Sequence, residues 1–352
     1  MNFTTKSRRG GLIALAASIT LLAAGCSGGG DATPSATGTS ASTGGGDTAN
    51  LAVTFLPKNL GNAYFDTSDN GGKAAIEEFG GTYSEVGPAE AAPDAQVSYI
   101  NTLTQQGVGA IAISANDPSA ICDALNQARD AGVKVVTYDS DTNAECRDLF
   151  INQATSEGIA KIQVDLIAEQ IGDAGQIAIL SATANATNQN AWIDLMKEML
   201  AADHPNIELV DVVYGDDDDQ TSFDKTAALL QTYPDLKGII SPTTVGISAA
   251  ARYLSTSSYK GKVALTGLGT PNQMRDYVND GTVTAFALWN PADLGYLAAY
   301  GAKALIEGTI TGASGDTFEA GKLGSYTVGE GGAVLLGDPY VFDADNIADF
   351  NF

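Results

Sequence analysis

Short apolar runs alternate along this chain with longer segments whose apolar residues recur at helical spacing. The runs are Leu51–Leu56, Ala110–Ser114, Val133–Tyr138, Gln176–Leu180, Ile207–Val213, Gly238–Ser241, Val263–Leu268 and Val283–Leu288. They read as buried parallel strands. Between them Asp94–Gln106, Ser119–Ala131, Ser156–Ile171, Gln189–Ala201, Phe223–Thr232 and Gly246–Ser255 read as helices. Pro118, Pro271 and Pro291 stand where helices begin, a position that suits a fixed φ and a missing N–H. Gly132 follows a helical segment and fits the residue just past a C-cap. Repeated βα units predict α/β architecture, with parallel sheets covered by helices on both faces. One set runs from Leu51 to about Gln153, a second from about Ala154 to Leu288. Beyond Pro291 come a helix, Leu294–Glu307, and β-like pieces at Tyr326–Val328 and Ala333–Leu336.

The first residues follow a different pattern. Lys6, Arg8 and Arg9 precede an apolar run from Leu12 to Ala24, which ends in Leu22-Ala23-Ala24-Gly25-Cys26. This order is that of an export signal. The cysteine after small residues resembles a bacterial lipobox, in which the thiol is acylated. A run this short falls below the ~20 residues of a spanning helix. Residues 1–25 are therefore expected to be a lipoprotein signal and Cys26 the lipidated N-terminus. An ordinary secretory signal cut nearby, or an uncleaved anchor, is the alternative. Residues 26–49 are almost entirely Gly, Ser, Thr, Ala and Asp, too polar and small to build a core, and read as a flexible tether.

Charge narrows the partners. The formal net charge is −24, from 18 basic and 42 acidic residues. Loss of Lys6, Arg8 and Arg9 with the signal leaves 15 basic against 42 acidic residues, or −27. Such a surface repels nucleic acid and anionic headgroups but not a neutral ligand. The remaining chain of about 300 residues exceeds what one core usually serves, so two lobes are expected. Cys122 and Cys146 are left as a pair in an oxidising compartment, and a disulfide is expected. Two separate buried thiols are the alternative. Two cysteines and the distant His204 do not make a metal-ligand set.

In doubly wound sheets ligands bind beyond the carboxyl ends of the strands. After the first strand come Lys58, Asn62, Tyr64 and Phe65; after Tyr138, the acids Asp139 and Asp141. After Leu180 come Asn188 and Gln189, followed by Trp192; after Ser241, Pro242 and Thr244; after Leu288, Trp289 and Asn290. Aromatic faces pack on the C–H faces of a sugar, and carboxylates and amides fix its hydroxyls. Each residue also has a plainer role. Tyr64, Phe65 and Trp192 suit a core, and Asp139 suits a turn. The run Asp216-Asp217-Asp218-Asp219 lacks the spacing and turn glycine of a calcium loop and reads as a solvated turn. Asp139 is thus expected to matter to a ligand, and Asp217 not. Asp139 and Asp141 share one short loop and do not flank a scissile bond from two sides, which argues against glycoside chemistry. His204, the only histidine, precedes Pro205 in a turn-like stretch and reads as no part of a Ser-His-Asp set, and no phosphate-binding loop motif is present.

These loops also carry a resemblance. Phe55-Leu56-Pro57-Lys58, Asn62-Ala63-Tyr64-Phe65, Tyr138-Asp139-Ser140-Asp141, Phe150-Ile151-Asn152-Gln153, Gly267-Leu268-Gly269-Thr270-Pro271-Asn272 and Ala287-Leu288-Trp289-Asn290 resemble the sugar-binding proteins of ABC importers. Within that group they look most like rhamnose-binding proteins and the related autoinducer-2 receptors, and both subgroups have the cysteine pair. The resemblance implies two Rossmann-like lobes joined by three crossovers. The implied division is 50–153 plus 290–318 for the first lobe and 154–289 plus 319–352 for the second. The ligand set of the autoinducer-2 receptors falls on Lys58, Asp139, Asn188-Gln189, Pro242 and Thr244. Asn188 and Thr244 depart from the aspartate and alanine of that set, and Asn290 stands for a further aspartate. The amide-rich loop 184–190 looks more like the rhamnose group. The resemblance implies a monomeric extracytoplasmic receptor without cofactor. It would capture a neutral monosaccharide, rhamnose first, and deliver it to ABC permease subunits. An autoinducer-2 or pentose receptor, a sensor-coupled binding protein and a cell-surface sugar enzyme are the alternatives.

Overall fold

The computed structural model describes residues 49–352 except residue 93. The signal segment 1–25, Cys26 and the tether up to residue 48 lie outside the described residues. The first lobe is built from β1 (Ala52–Leu56), α1 (Ala63–Glu78), β2 (Thr82–Glu85), α2 (Ala95–Gln106), β3 (Ala110–Ile113), α3 (Cys122–Asp130), β4 (Lys134–Tyr138) and β5 (Leu149–Asn152). The second contains α4 (Ser156–Ile171), β6 (Gly175–Ser181), α5 (Thr187–Asp203), β7 (Ile207–Tyr214), α6 (Asp219–Thr232), β8 (Leu236–Ser241), α7 (Thr244–Thr256), β9 (Ala264–Gly267), α8 (Pro271–Asn279) and β10 (Ala285–Leu288). The chain then runs through α9 (Pro291–Ile306), β11 (Thr317–Glu319), β12 (Ser325–Thr327), β13 (Ala333–Leu335) and β14 (Tyr340–Asp343).

The first sheet has the order β13-β5-β4-β3-β1-β2, and every pair is parallel. Its central strands β1, β3 and β4 are buried on both faces, and alternate residues feed separate cores. Val53, Phe55, Ala112, Val136 and Tyr138 join the core beneath α1 and α9. Leu56, Ile111, Ile113 and Val135 pack with Ile100 and Leu103 of α2 and Leu125 of α3 on the other face. The second sheet runs β7-β6-β8-β9, again parallel, and a Leu268–Ala287 bridge adds β10. β10 pairs antiparallel with β14.

The polypeptide passes between lobes after β5, after β10 and between β13 and β14. The last crossing corrects the sequence-based boundary at 318/319. Ala333–Leu335 extend the first sheet beside Phe150–Asn152, and Val334 is fully buried there. The chain therefore returns to the second lobe only in 336–339. Helix α3 also starts later than the pattern predicts. Pro118 lies in the preceding turn, where Asp117 Oδ1 accepts the N–H groups of Ser119 and Ala120. Pro271 and Pro291 do open α8 and α9, and Gly132 has φ +91° just past the α3 C-cap.

Two helices aim the cleft residues of the first lobe. α1 and α9 lie backbone to backbone. A Cβ on Gly71 would sit 1.9 Å from Ala292 O, and one on Gly295 would sit 1.8 Å from Ser68 O. Only glycine permits that approach. The N-termini of both helices carry the loops with Asn62, Tyr64 and Trp289. Cys122 and Cys146 stand side by side, with Cα atoms 5.3 Å apart, where α3 meets the loop after β4.

Candidate functional site

One cleft between the lobes collects the carboxyl ends of β1, β4, β6, β7, β8, β9 and β10. Lys58, Asn62, Tyr64, Phe65 and Asp139 line it from the first lobe. Asn188, Gln189, Trp192, Asp217, Pro242, Thr243, Thr244, Leu268, Leu288 and Trp289 line it from the other side. It encloses about 380 Å³ with its mouth included.

Asp139 is the centre of the first-lobe face. It sits at φ +62°, a conformation aspartate tolerates better than most residues. Its Oδ1 accepts the Tyr64 hydroxyl at 3.0 Å, and its Oδ2 accepts Ser114 Oγ at 2.8 Å. Lys58 Nζ lies 3.8 Å from Oδ2, and both side chains are nearly buried. Trp289 Nε1 donates to Tyr64 Oη at 2.9 Å, linking the far wall to this network. Burial, together with the neighbouring Asp139 charge, pushes the Tyr64 hydroxyl well above its ordinary range, so it stays a donor. Behind the loop, buried Gln96 donates to Pro57 O and Ser114 O and accepts the N–H of Asn116. Asn116 in turn donates to Lys58 O at 2.9 Å. The lysine is thus held from its own backbone.

The second lobe presents amides. Gln189 Oε1 accepts Ser181 Oγ at 2.8 Å and Ala182 N at 2.9 Å, so its amide nitrogen is the group left for a ligand. Asn188 Oδ1 accepts Lys58 Nζ across the cleft at 3.3 Å. Trp192, Trp289, Tyr64 and Phe65 form an aromatic wall, with successive ring centroids 6.3, 6.1 and 5.1 Å apart in edge-on geometry. Such a wall suits the C–H face of a small ring.

Asp217 overturns the solvated-turn reading of the acidic run. At φ +53° it turns its carboxylate into the cleft, where Oδ2 accepts Asn62 Nδ2 at 3.0 Å and Oδ1 accepts Thr243 Oγ1 at 2.5 Å. Burial raises its carboxyl above the usual carboxylate range, against the lowering effects of the Thr243 hydrogen bond and the Lys58 charge. Its neighbour Asp218 instead caps α6 and accepts Thr221 N at 2.8 Å. The signal was present, because Asp217 follows a strand as the other cleft residues do. Four consecutive aspartates concealed it.

Two expected ligand residues serve the frame instead. Asp141 forms a paired contact with Arg147, at 2.6 and 2.7 Å, and accepts Thr137 Oγ1. Arg147 also donates to Gly331 O, so the pair ties the loop after β4 to the segment before β13. Asn290 caps α9 by accepting Ala292 N at 3.0 Å and donates to Asp293. Neither lines the cleft. Trp192, read as core, is both core and wall, at 3 % exposure.

Fold and site together define a binding protein that holds a small solute between two lobes. The family described as periplasmic binding protein domain matches residues 53–310, and the chain belongs to it. Its members bind solutes for transport and are not enzymes. Solved structures extend the comparison. A sugar ABC transporter protein from Actinomyces odontolyticus is 54 % identical, with a TM-score of 0.71 over 87 % of this chain and 99 % of that one. A solute-binding protein from Clostridium phytofermentas with bound L-rhamnose is 41 % identical, with a TM-score of 0.82 over 86 % and 98 %. LsrB from Clostridium saccharobutylicum in complex with AI-2 is 28 % identical, with a TM-score of 0.80 over 85 % and 99 %.

Proposed function

We propose that this protein is an extracytoplasmic receptor that captures a neutral monosaccharide, L-rhamnose or a close 6-deoxy or pentose sugar, and delivers it to an ABC permease. The observation that carries this reading is the composition of the cleft. The Asp139 carboxylate of one lobe faces the amides of Asn188 and Gln189 and the Asp217 carboxylate of the other, beside an aromatic wall. Neutral polyols both donate and accept hydrogen bonds, and their C–H faces stack on rings. The rhamnose-bound relative supports the choice of sugar. A lipid on Cys26 would keep the receptor at the membrane. The Cys122–Cys146 pair fits a disulfide in that oxidising compartment.

A thermal-shift screen of residues 50–352 against neutral monosaccharides, uronates and autoinducer-2 tests the reading. Stabilisation is expected with L-rhamnose or a close neutral sugar. Stabilisation by autoinducer-2 alone would replace the sugar with that ligand. Mass spectrometry of the mature N-terminus tests the anchor, with an acylated Cys26 expected.

A further inference from the structure

The acidic turn after β7 holds the one cleft carboxylate that strand-end chemistry alone did not assign. Asp217 is anchored twice, by Asn62 Nδ2 from the first lobe at 3.0 Å and by Thr243 Oγ1 from the second at 2.5 Å. Each of its oxygens therefore accepts one hydrogen bond from the protein. A carboxylate offers about four lone-pair sites, so each oxygen keeps an acceptor position. The side chain lines the cleft beside Lys58 and Asn188. Asn188 presents an amide, whose oxygen is already engaged by Lys58 Nζ and by the Gln189 N–H. The second lobe is thus rich in donors at its amide loop, and Asp217 is its carboxylate acceptor.

We propose that Asp217 is a specificity-determining residue that accepts a hydroxyl of the bound sugar while its bond to Asn62 joins the two lobes around that sugar. The proposal rests on the sugar-receptor reading above. It requires a ligand with hydroxyl donors directed at both lobes, one for Asp139 and one for Asp217. It explains why the turn adopts φ +53° at Asp217, since that conformation points the carboxylate inward while Asp218 remains free to cap α6.

Calorimetry with Asp217→Asn tests it. Asparagine tolerates the same backbone conformation, so the fold is preserved, and circular dichroism checks this. Asp216→Asn, at an exposed neighbour with φ +54°, is the control. L-rhamnose and its monodeoxy analogues are titrated into each protein. The expected result is a tenfold or greater loss of L-rhamnose affinity in Asp217→Asn and none in Asp216→Asn. One monodeoxy analogue should bind wild type and Asp217→Asn equally, because it lacks the hydroxyl that Asp217 accepts. Unchanged affinity in Asp217→Asn overturns the proposal. So does an equal loss for every analogue, which would leave Asp217 with the lobe contact alone. Wild-type protein that binds neither these sugars nor any other neutral monosaccharide sinks the receptor reading, and the proposal falls with it.

Discussion

The first lobe meets the cleft with side chains that already bind one another, whereas the second meets it with amide donors left unspent. Asp139, Tyr64, Ser114 and Lys58 form one connected set, met by Trp289 from the far wall and backed by Gln96 and Asn116. Gln189 and Asn188 are oriented through their oxygens, and their nitrogens remain for a ligand. A surface whose groups are fixed beforehand loses little entropy when a ligand arrives. The second lobe then gains its contacts as it meets the ligand, and ligand contacts present only in the closed arrangement favour that arrangement. On the proposed reading, the asymmetry would assign capture to the first lobe and closure to the second.

Changes on the two sides should therefore differ in size. The largest effect is expected from Asp139→Ala, which removes the acceptor of two hydroxyls and the nearest countercharge of buried Lys58. Calorimetry should show at least a ~100-fold loss of sugar affinity, or about 3 kcal/mol. A loss below tenfold would contradict capture by the first lobe. Gly295→Ala should come next, because its methyl group meets the backbone of α1 at Ser68. We expect about 1–3 kcal/mol of lost stability in denaturant unfolding, with sugar affinity reduced as Tyr64 and Trp289 shift. An unchanged midpoint would show that the helix pair yields easily.

Gln189→Ala tests the second lobe at a smaller scale. It deletes one free donor and leaves Ser181 unpaired, so a loss of about tenfold is expected. A loss as large as that of Asp139→Ala would erase the asymmetry. The smallest effect concerns the frame behind the first-lobe face. Asp69 is fully buried and accepts the Tyr138 hydroxyl at 2.7 Å, with its other oxygen unpaired. Burial raises its carboxyl well above the usual range; Tyr138 opposes this, while Glu85, Asp66 and Asp139 add to it. The folded state thus keeps this proton to higher pH than the unfolded chain does. Its contribution to stability is present below the unfolded carboxylate value, about pH 4, and is lost as pH rises through the raised value. Asp69→Asn keeps an acceptor for Tyr138, so its melting temperature should fall less than that of wild type over this window. Parallel curves would contradict the assignment.

The same contrast explains what was legible in the sequence. Parallel strands buried on both faces leave unbroken apolar runs, so β1, β3, β4 and β6 to β10 could be located from pattern alone. Helix α1 could not. Its stretch Asp66-Thr67-Ser68-Asp69-Asn70-Gly71-Gly72 has no apolar residue to mark a helical face, yet its glycines are what the contact with α9 requires. Strand β2 is a mostly exposed edge with alternating polar residues, and β13 is three residues long. Pairing with β5, a partner about 180 positions earlier in the chain, fixes β13 in the first lobe, and such a partner leaves no local trace. In the site, the strand-end rule found the loops but not the direction of each side chain. Asp139 and Asp141 lie two residues apart, yet one faces the cleft and the other faces Arg147. Positive φ at Asp139 and Asp217 sets those directions. Aspartate is compatible with that conformation without announcing it.

The most direct test is a calorimetric titration of L-rhamnose into wild-type residues 50–352, repeated with Asp139→Ala. A single-site, saturable heat in the wild type that is lost in the variant is the predicted result. No heat from L-rhamnose or any other neutral monosaccharide would contradict the account at its centre.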